Sequence, residues 1–362
     1  MENKLSKYVC KNPFSYLDTQ GENGSYICCP SWCPTKINES ADEIGWNSQT
    51  AKEIRKSVSD GSYRYCNKQV CPSLNTLINT EEVPNNFWKK SDFDFQYNIK
   101  SIEDVEKISC YPEQLLFGFD RSCNLQCPSC RLDFVPNFKK GTKGYDERIE
   151  ILKTIENSYS KYIKEILITG SGDPFYSNIY REYLQNFDKS KYPNLDIIKL
   201  ITNGQMLNKK MWESLSCKEY IKAVEVSIDA GRKETYEGIT RLRGNWDVLI
   251  SNLKFLSTID SVDDIYLSFV VSEKNYNEMF LFYETMMDIF KDSKVLTKRF
   301  SIVYRQHVHW EDGAYTEKEV ESIQVFNKSH KLYQNFLNEL DKIHTQKFVE
   351  HNFHHLIQKN LI

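Results

Sequence analysis

Three cysteines stand on one short segment, Cys123-Asn-Leu-Gln-Cys127-Pro-Ser-Cys130, with C-x3-C-x2-C spacing. Thiolate is the preferred ligand of iron–sulfur clusters. Three thiolates so close in sequence suit three corners of a [4Fe–4S] cube and leave the fourth iron without a protein ligand. An iron left open in this way can chelate a small molecule and pass it an electron. A cluster closed by four cysteines can only transfer electrons. Zinc is the alternative reading, but zinc takes four ligands, often in C-x2-C pairs. This segment offers one such pair and an outlier.

The remaining cysteines point to a second site. The chain of 362 residues holds eleven, and six of them (Cys10, Cys28, Cys29, Cys33, Cys66 and Cys71) lie within the first 71 residues. In a reducing compartment clustered cysteines more often bind metal than pair with one another. Cys110 and Cys217 stand alone and read as buried packing. The formal net charge is −3, from 47 basic and 50 acidic residues. That balance gives no electrostatic footprint for nucleic acid or an anionic membrane. No apolar run approaches the length of a membrane span, and the first eight residues carry no apolar signal segment. The expectation is a cytoplasmic protein with no nucleic-acid or membrane partner.

The elements that must position these residues follow from periodicity. Strand-length apolar runs occur at 115–120, 163–169, 195–202, 221–228, 265–271 and 300–304. Helical patterns separate them at 146–160, 177–187, 209–215, 246–258 and 275–291. Alternation of this kind predicts an α/β fold, a partial (β/α)6 TIM-like barrel of six parallel strands. Sites in such folds sit at the C-terminal ends of strands. The cysteine segment falls there, and so do Gly170-Ser171-Gly172-Asp173-Pro174, Thr202-Asn203-Gly204 and Ser227-Ile228-Asp229. The division expected is a cysteine-rich domain with a polar linker over 1–100, a core over 110–310 and a helical tail over 311–362. His351, His354 and His355 in that tail read as a solvated helix, and Tyr304, Arg305 and His307 as candidate substrate contacts.

The cysteine segment resembles the signature of the radical S-adenosylmethionine (SAM) superfamily, with Ser129 where that family usually has an aromatic residue. The resemblance covers roughly 115–307. It implies a SAM-binding [4Fe–4S] cluster on Cys123, Cys127 and Cys130, and reductive cleavage of SAM to a 5′-deoxyadenosyl radical that abstracts a substrate hydrogen. The turn Gly170, Ser171, Gly172, Asp173 looks like the family's glycine-rich turn, with Asp173 replacing Glu, and implies contacts to the SAM amino group. Asn203 is similar to the family's Asn-Gly turn near SAM. Ser227 and Arg241 would hold the SAM carboxylate, with Arg243 as the rival arginine.

The order of motifs from Cys10 to Pro72 resembles the SPASM/twitch auxiliary-cluster domain, here preceding the barrel. That resemblance implies a second [4Fe–4S] cluster on Cys10, Cys28, Cys66 and Cys71. Cys29 and Cys33 remain open as alternatives to Cys28, and zinc as an alternative to iron. Relatives with such a domain modify peptides or oxidise sugars and aminoglycosides. The first expectation is oxidative modification of a peptide, served by an electron donor such as flavodoxin or ferredoxin. The alternatives are a dehydrogenase or epimerase of a sugar-like metabolite and a non-enzymatic zinc protein.

Overall fold

The N-terminal cysteine-rich stretch carries four short strands, Tyr8–Cys10 (β1), Tyr16–Thr19 (β2), Ser25–Tyr26 (β3) and Phe87–Lys89 (β4). The computed structural model describes residues 4–21, 24–38, 44–309, 313–353 and 356. These fall into two compact units, the first made of 1–120, 140–170 and 189–196, the second of 121–139, 171–188 and 197–362. No described helix is long and apolar enough to cross a membrane.

In the first unit β2 does not belong to a detached domain. It pairs in parallel with Gln114–Phe117 (β5), which pairs in parallel with Glu165–Ile168 (β6). β3 closes the edge as a hairpin with β2. The division expected near residue 100 is therefore not a boundary between units. A strand of sequence Tyr-Leu-Asp-Thr is too short and too mixed to announce itself by alternation.

The stretch 80–109, whose polar composition reads as a linker, is also structured. β4 pairs with β1, and a helix follows at Lys90–Gln96. Its polar composition hides a thin aromatic face. Phe93 is fully buried, with its ring 5.2 Å from Phe14, and Trp88 lies 5.7 Å from Phe14. Helix Gln49–Ser59 starts on Ser48, whose side chain accepts from the Ala51 amide and satisfies one of the free N–H groups of the first turn. The same helix buries Arg55, which donates to the Pro13 and Trp46 carbonyls, each at 2.8 Å.

The second unit holds five parallel strands, Ile197–Thr202 (β7), Ile221–Ser227 (β8), Asp264–Val271 (β9), Arg299–Gln306 (β10) and Val349–His351 (β11), in sequential order. β7 alternates half-buried and buried side chains, with Ile198, Leu200 and Thr202 inward. Helix Trp246–Leu256 begins on Asn245, which accepts from the Val248 amide at 2.9 Å. Because these strands run in parallel, the residues following β7, β8, β9 and β10 emerge at one edge. They include Asn203, Asp229, Ser272 and His307.

The tail is not helical throughout. It has helices at Glu317–Ile323 and Tyr333–Ile343, but β11 extends the sheet beside β10. Val-Glu-His has no strand signature of its own, and the backbone ladder supplied by β10 decides its conformation. His351 lies in that strand, and His354 and His355 lie outside the described residues.

Candidate functional site

The second unit gathers Cys123, Cys127 and Cys130 with residues from the ends of β7 and β8. Each of the three sulfurs accepts a hydrogen bond from a different side chain. Asn203 Nδ2 donates to Cys123 Sγ at 3.6 Å, Arg241 Nη1 to Cys127 Sγ at 3.4 Å, and Arg131 Nη2 to Cys130 Sγ at 3.4 Å. All three donors are buried. The loop is fixed at the backbone as well, since the Cys123 amide donates to the Val135 carbonyl and the Gln126 amide to the Leu242 carbonyl.

The hydrogen-bond partners of these donors explain their aim. Asn203 also donates to Asn124 Oδ1 at 2.9 Å, and its own side-chain oxygen accepts from the Gln205 amide. Arg131 donates to the carbonyls of Arg121 at 2.9 Å and Ser171 at 2.7 Å. Arg241 Nη2 is ion-paired to Asp229 Oδ2 at 2.6 Å. Asp229 sits at φ 60°, two residues past the end of β8, and its other carboxylate oxygen accepts from the Val270 amide at 2.8 Å.

Asp173 ties the turn after β6 to the end of β7. Its fully buried carboxylate accepts from Thr202 Oγ1 at 2.7 Å and from the amides of Asn203, Phe175 and Tyr176 at 2.9, 3.0 and 3.1 Å. Burial pushes this carboxyl upward, and the four donors oppose the shift. Gly204 completes the turn at φ 78°. A Cβ there would lie 2.8 Å from Leu249 and 2.9 Å from Val226, so only glycine fits.

Burial also governs the thiols. It pushes Cys123 up to about 12, with the Asp173 carboxylate adding to the effect. It raises Cys127 too, against the pull of Arg241. Such thiols stay protonated at neutral pH unless a cation takes the proton's place, and a bound metal does this. Burial disfavours the Arg131 charge, yet the neighbouring cysteines, Cys130 first, hold it above the usual guanidinium range. Arg131 has no carboxylate partner among the described residues. A buried guanidinium that faces three cysteine sulfurs and no carboxylate among the described residues fits a loop whose sulfurs become thiolates when a metal is bound.

Beside the loop lies a pocket lined by Pro128, Ser129, Asp229, Ile239, Val270 and His307. His307 is 3% exposed, and neither ring nitrogen has a hydrogen-bond partner. Burial lowers its pKa, so the ring is held neutral, with one N–H to donate and one lone pair to accept. At the same wall Asn275 donates to the carbonyls of Asp229 and Val270.

Of the remaining sequence-derived candidates, Ser171 supplies a carbonyl to Arg131 and Gly172 adjoins it in the same turn. Gly170 belongs to the first unit, where an added Cβ would meet nothing within 4 Å. Ser227 Oγ accepts from Ser268 Oγ at 3.4 Å. Arg241 is the buried arginine, while its rival Arg243 is exposed and lies over the Phe134 ring at 3.7 Å. Sequence reading missed Arg131, although a basic residue immediately after the third cysteine was a visible signal.

In the first unit five cysteines, Cys10, Cys28, Cys33, Cys66 and Cys71, line one pocket. Cys33 is thus in the wall with the four expected ligands, and Cys29 is not. Asn12 Nδ2 donates to Cys28 Sγ at 3.6 Å. Cys66 shares its proton with Cys33, which lowers the Cys33 pKa and raises that of Cys66. Burial pushes Cys10 up to about 12. Among the described residues no group of three or more His, Cys, Asp or Glu stands ready to hold a single metal ion.

No family model and no curated protein matches the chain. Solved structures do. One is a structure of TYW1 with a lysine–pyruvate adduct bound, at 14% identity and a TM-score of 0.35, covering 55% of this chain and 64% of that one. Another is native anSMEcpe with bound AdoMet, at 21% identity and a TM-score of 0.37, covering 62% of each chain. The chain spans less than two thirds of the length of either.

Proposed function

We propose that this chain is a radical SAM enzyme, with a [4Fe–4S] cluster on Cys123, Cys127 and Cys130. The observation that carries the reading is the set of three clustered sulfurs, two buried and one half-buried, each held by its own side-chain donor, beside a pocket with an unsatisfied imidazole. When bound, a three-cysteine cluster with an open iron supplies the electron that cleaves SAM to a 5′-deoxyadenosyl radical, which takes a hydrogen atom from the substrate. The chain's own residues orient the sulfurs through Asn203, Arg131 and Arg241. They brace the rim through Asp173, and they offer Ser129, Ile239 and His307 as walls for the nucleoside part of SAM. The glycine-rich turn and Ser227 are proposed to meet the amino and carboxylate groups.

The five-cysteine pocket is proposed to hold a second [4Fe–4S] cluster, with Cys10, Cys28, Cys66 and Cys71 as ligands and Cys33 in the same wall. A cluster closed by four cysteines favours electron transfer, and so a net oxidation of the substrate. The substrate class carried forward is a peptide, on the resemblance of the N-terminal motif order to the SPASM/twitch domain. The reductant is proposed to be a flavodoxin or ferredoxin, and the location cytoplasmic.

The test is anaerobic purification and reconstitution, with iron, sulfide and zinc measured per chain, followed by incubation with dithionite and SAM. About eight irons and eight sulfides, with release of 5′-deoxyadenosine, is the expected result. About four irons with 5′-deoxyadenosine leaves the SAM site and removes the second cluster. Zinc without sulfide and no 5′-deoxyadenosine overturns the reading.

A further inference from the structure

Two buried arginines approach the three-cysteine loop from different elements. Arg131 comes from the loop itself, and Arg241 from the segment after β8. Each splits its guanidinium between an anchor and a sulfur. Arg131 is anchored on the Arg121 and Ser171 carbonyls and gives Nη2 also to Cys130 Sγ at 3.4 Å. Arg241 is anchored on Asp229 and gives Nη1 to Cys127 Sγ at 3.4 Å. The third sulfur, on Cys123, receives only neutral donors, Asn203 Nδ2 at 3.6 Å and the Leu125 amide at 3.5 Å. The two cations differ in one respect. Arg241 carries a carboxylate counter-charge, and Arg131 carries none among the described residues.

We infer that Arg131 is a positioning residue that raises the reduction potential of the cluster on Cys123, Cys127 and Cys130, with Arg241 as its weaker counterpart. The inference rests on those cysteines holding an iron–sulfur cluster. Adding an electron makes such a cluster more negative. A nearby cation and N–H···S hydrogen bonds stabilise the reduced form more than the oxidised one, and burial strengthens both effects. Arg131 acts with its full charge because no carboxylate among the described residues is paired with it. The Asp229 carboxylate cancels much of the charge of Arg241, which leaves chiefly its hydrogen bond. Each arginine acts through a ligand sulfur and needs no contact with substrate.

The test is a redox titration of the reconstituted full-length chain, followed by electron paramagnetic resonance. The relevant signal is identified as the one missing from a C127A variant. Arg131→Gln removes the charge and should lower the potential by at least 59 mV, a tenfold change in the ratio of reduced to oxidised cluster at fixed ambient potential. Arg131→Lys keeps the charge but cannot reproduce the three-way fork, and should fall between parent and Gln variant. Arg241→Gln should give a smaller drop than Arg131→Gln. A potential for R131Q at or above the parent value overturns the inference. Should R131Q not assemble its cluster, the Lys variant decides, and a value at or above the parent again overturns it. A parent chain that holds no iron or sulfide fails the cluster reading itself, a result distinct from any of these.

Discussion

Asp229 and Arg241 form a buried ion pair at 2.6 Å, with side chains 6% and 11% exposed, and this pair decides where the arginine points. With Nη2 committed to the carboxylate, Nη1 is left facing Cys127. Asp229 is held in turn by the Val270 amide. Replacing it with Asn keeps that bond and suits the positive φ of 60°, and it puts a donor NH2 where an oxygen accepts from Arg241, so the ion pair and its hydrogen bond are lost together. Removing one partner of a buried pair costs about 3–5 kcal/mol. Urea denaturation of D229N without cofactors should show a loss of this size. An unchanged midpoint would mean that Arg241 is balanced by another anion.

A second buried carboxyl makes stability depend on pH. Asp18, in β2, is 2% exposed, and burial raises it to about 7 against an opposing hydrogen bond from Gln20. The folded state therefore keeps this proton over a range in which the unfolded state has lost it. Stability from this group is present below about pH 4 and falls as pH rises toward about 7, by up to about 4 kcal/mol. Thermal unfolding of an Asp18→Asn variant should lose this slope and exceed the parent in stability at pH 8. A parent and variant with parallel profiles from pH 4 to 8 would rule out Asp18 as its source.

The α/β alternation was legible because short apolar runs of strand length alternate with helical patterns from about residue 115 onward, and β7, β8 and β9 fall within two residues of their expected bounds. β2 and β11 were not, because a three- or four-residue strand takes its conformation from the partner it pairs with. The cysteine segment and the rim motifs were readable from spacing. The pairing of each sulfur with its donor was not, since the bond from Arg241 to Cys127 joins residues 114 apart in sequence. Asp173 shows the limit from the other side. Its place in the turn was evident, but its carboxylate is consumed by four internal hydrogen bonds.

The two cysteine sites should load independently. Cys123, Cys127 and Cys130 lie in one unit, and the five N-terminal thiols in the other. A C123A/C127A/C130A chain should lose about four irons and all 5′-deoxyadenosine formation, and keep the N-terminal iron. Cys66→Ser should do the reverse for iron. Cys29→Ser should change neither count, because Cys29 does not line the pocket. Iron and sulfide assays on the reconstituted variants settle each case. Loss of all iron from the triple variant would contradict two separate sites.

His307 separates a binding role from a packing role. An imidazole buried to 3% exposure with two unpaired nitrogens is a cost to the chain on its own. Replacing it with Phe removes those polar atoms and keeps a flat ring. The variant without ligand should therefore unfold no earlier than the parent. If the pocket takes the nucleoside of SAM, the same change forfeits up to two hydrogen bonds, each about 0.5–1.5 kcal/mol, and weakens SAM binding by roughly tenfold. Calorimetry on the cluster-loaded chain measures the affinity, and a thermal melt measures the stability. Because burial holds the ring neutral, the His307 contribution to binding should be flat above pH 7. Unchanged affinity with lowered stability would assign His307 to packing and place the nucleoside elsewhere.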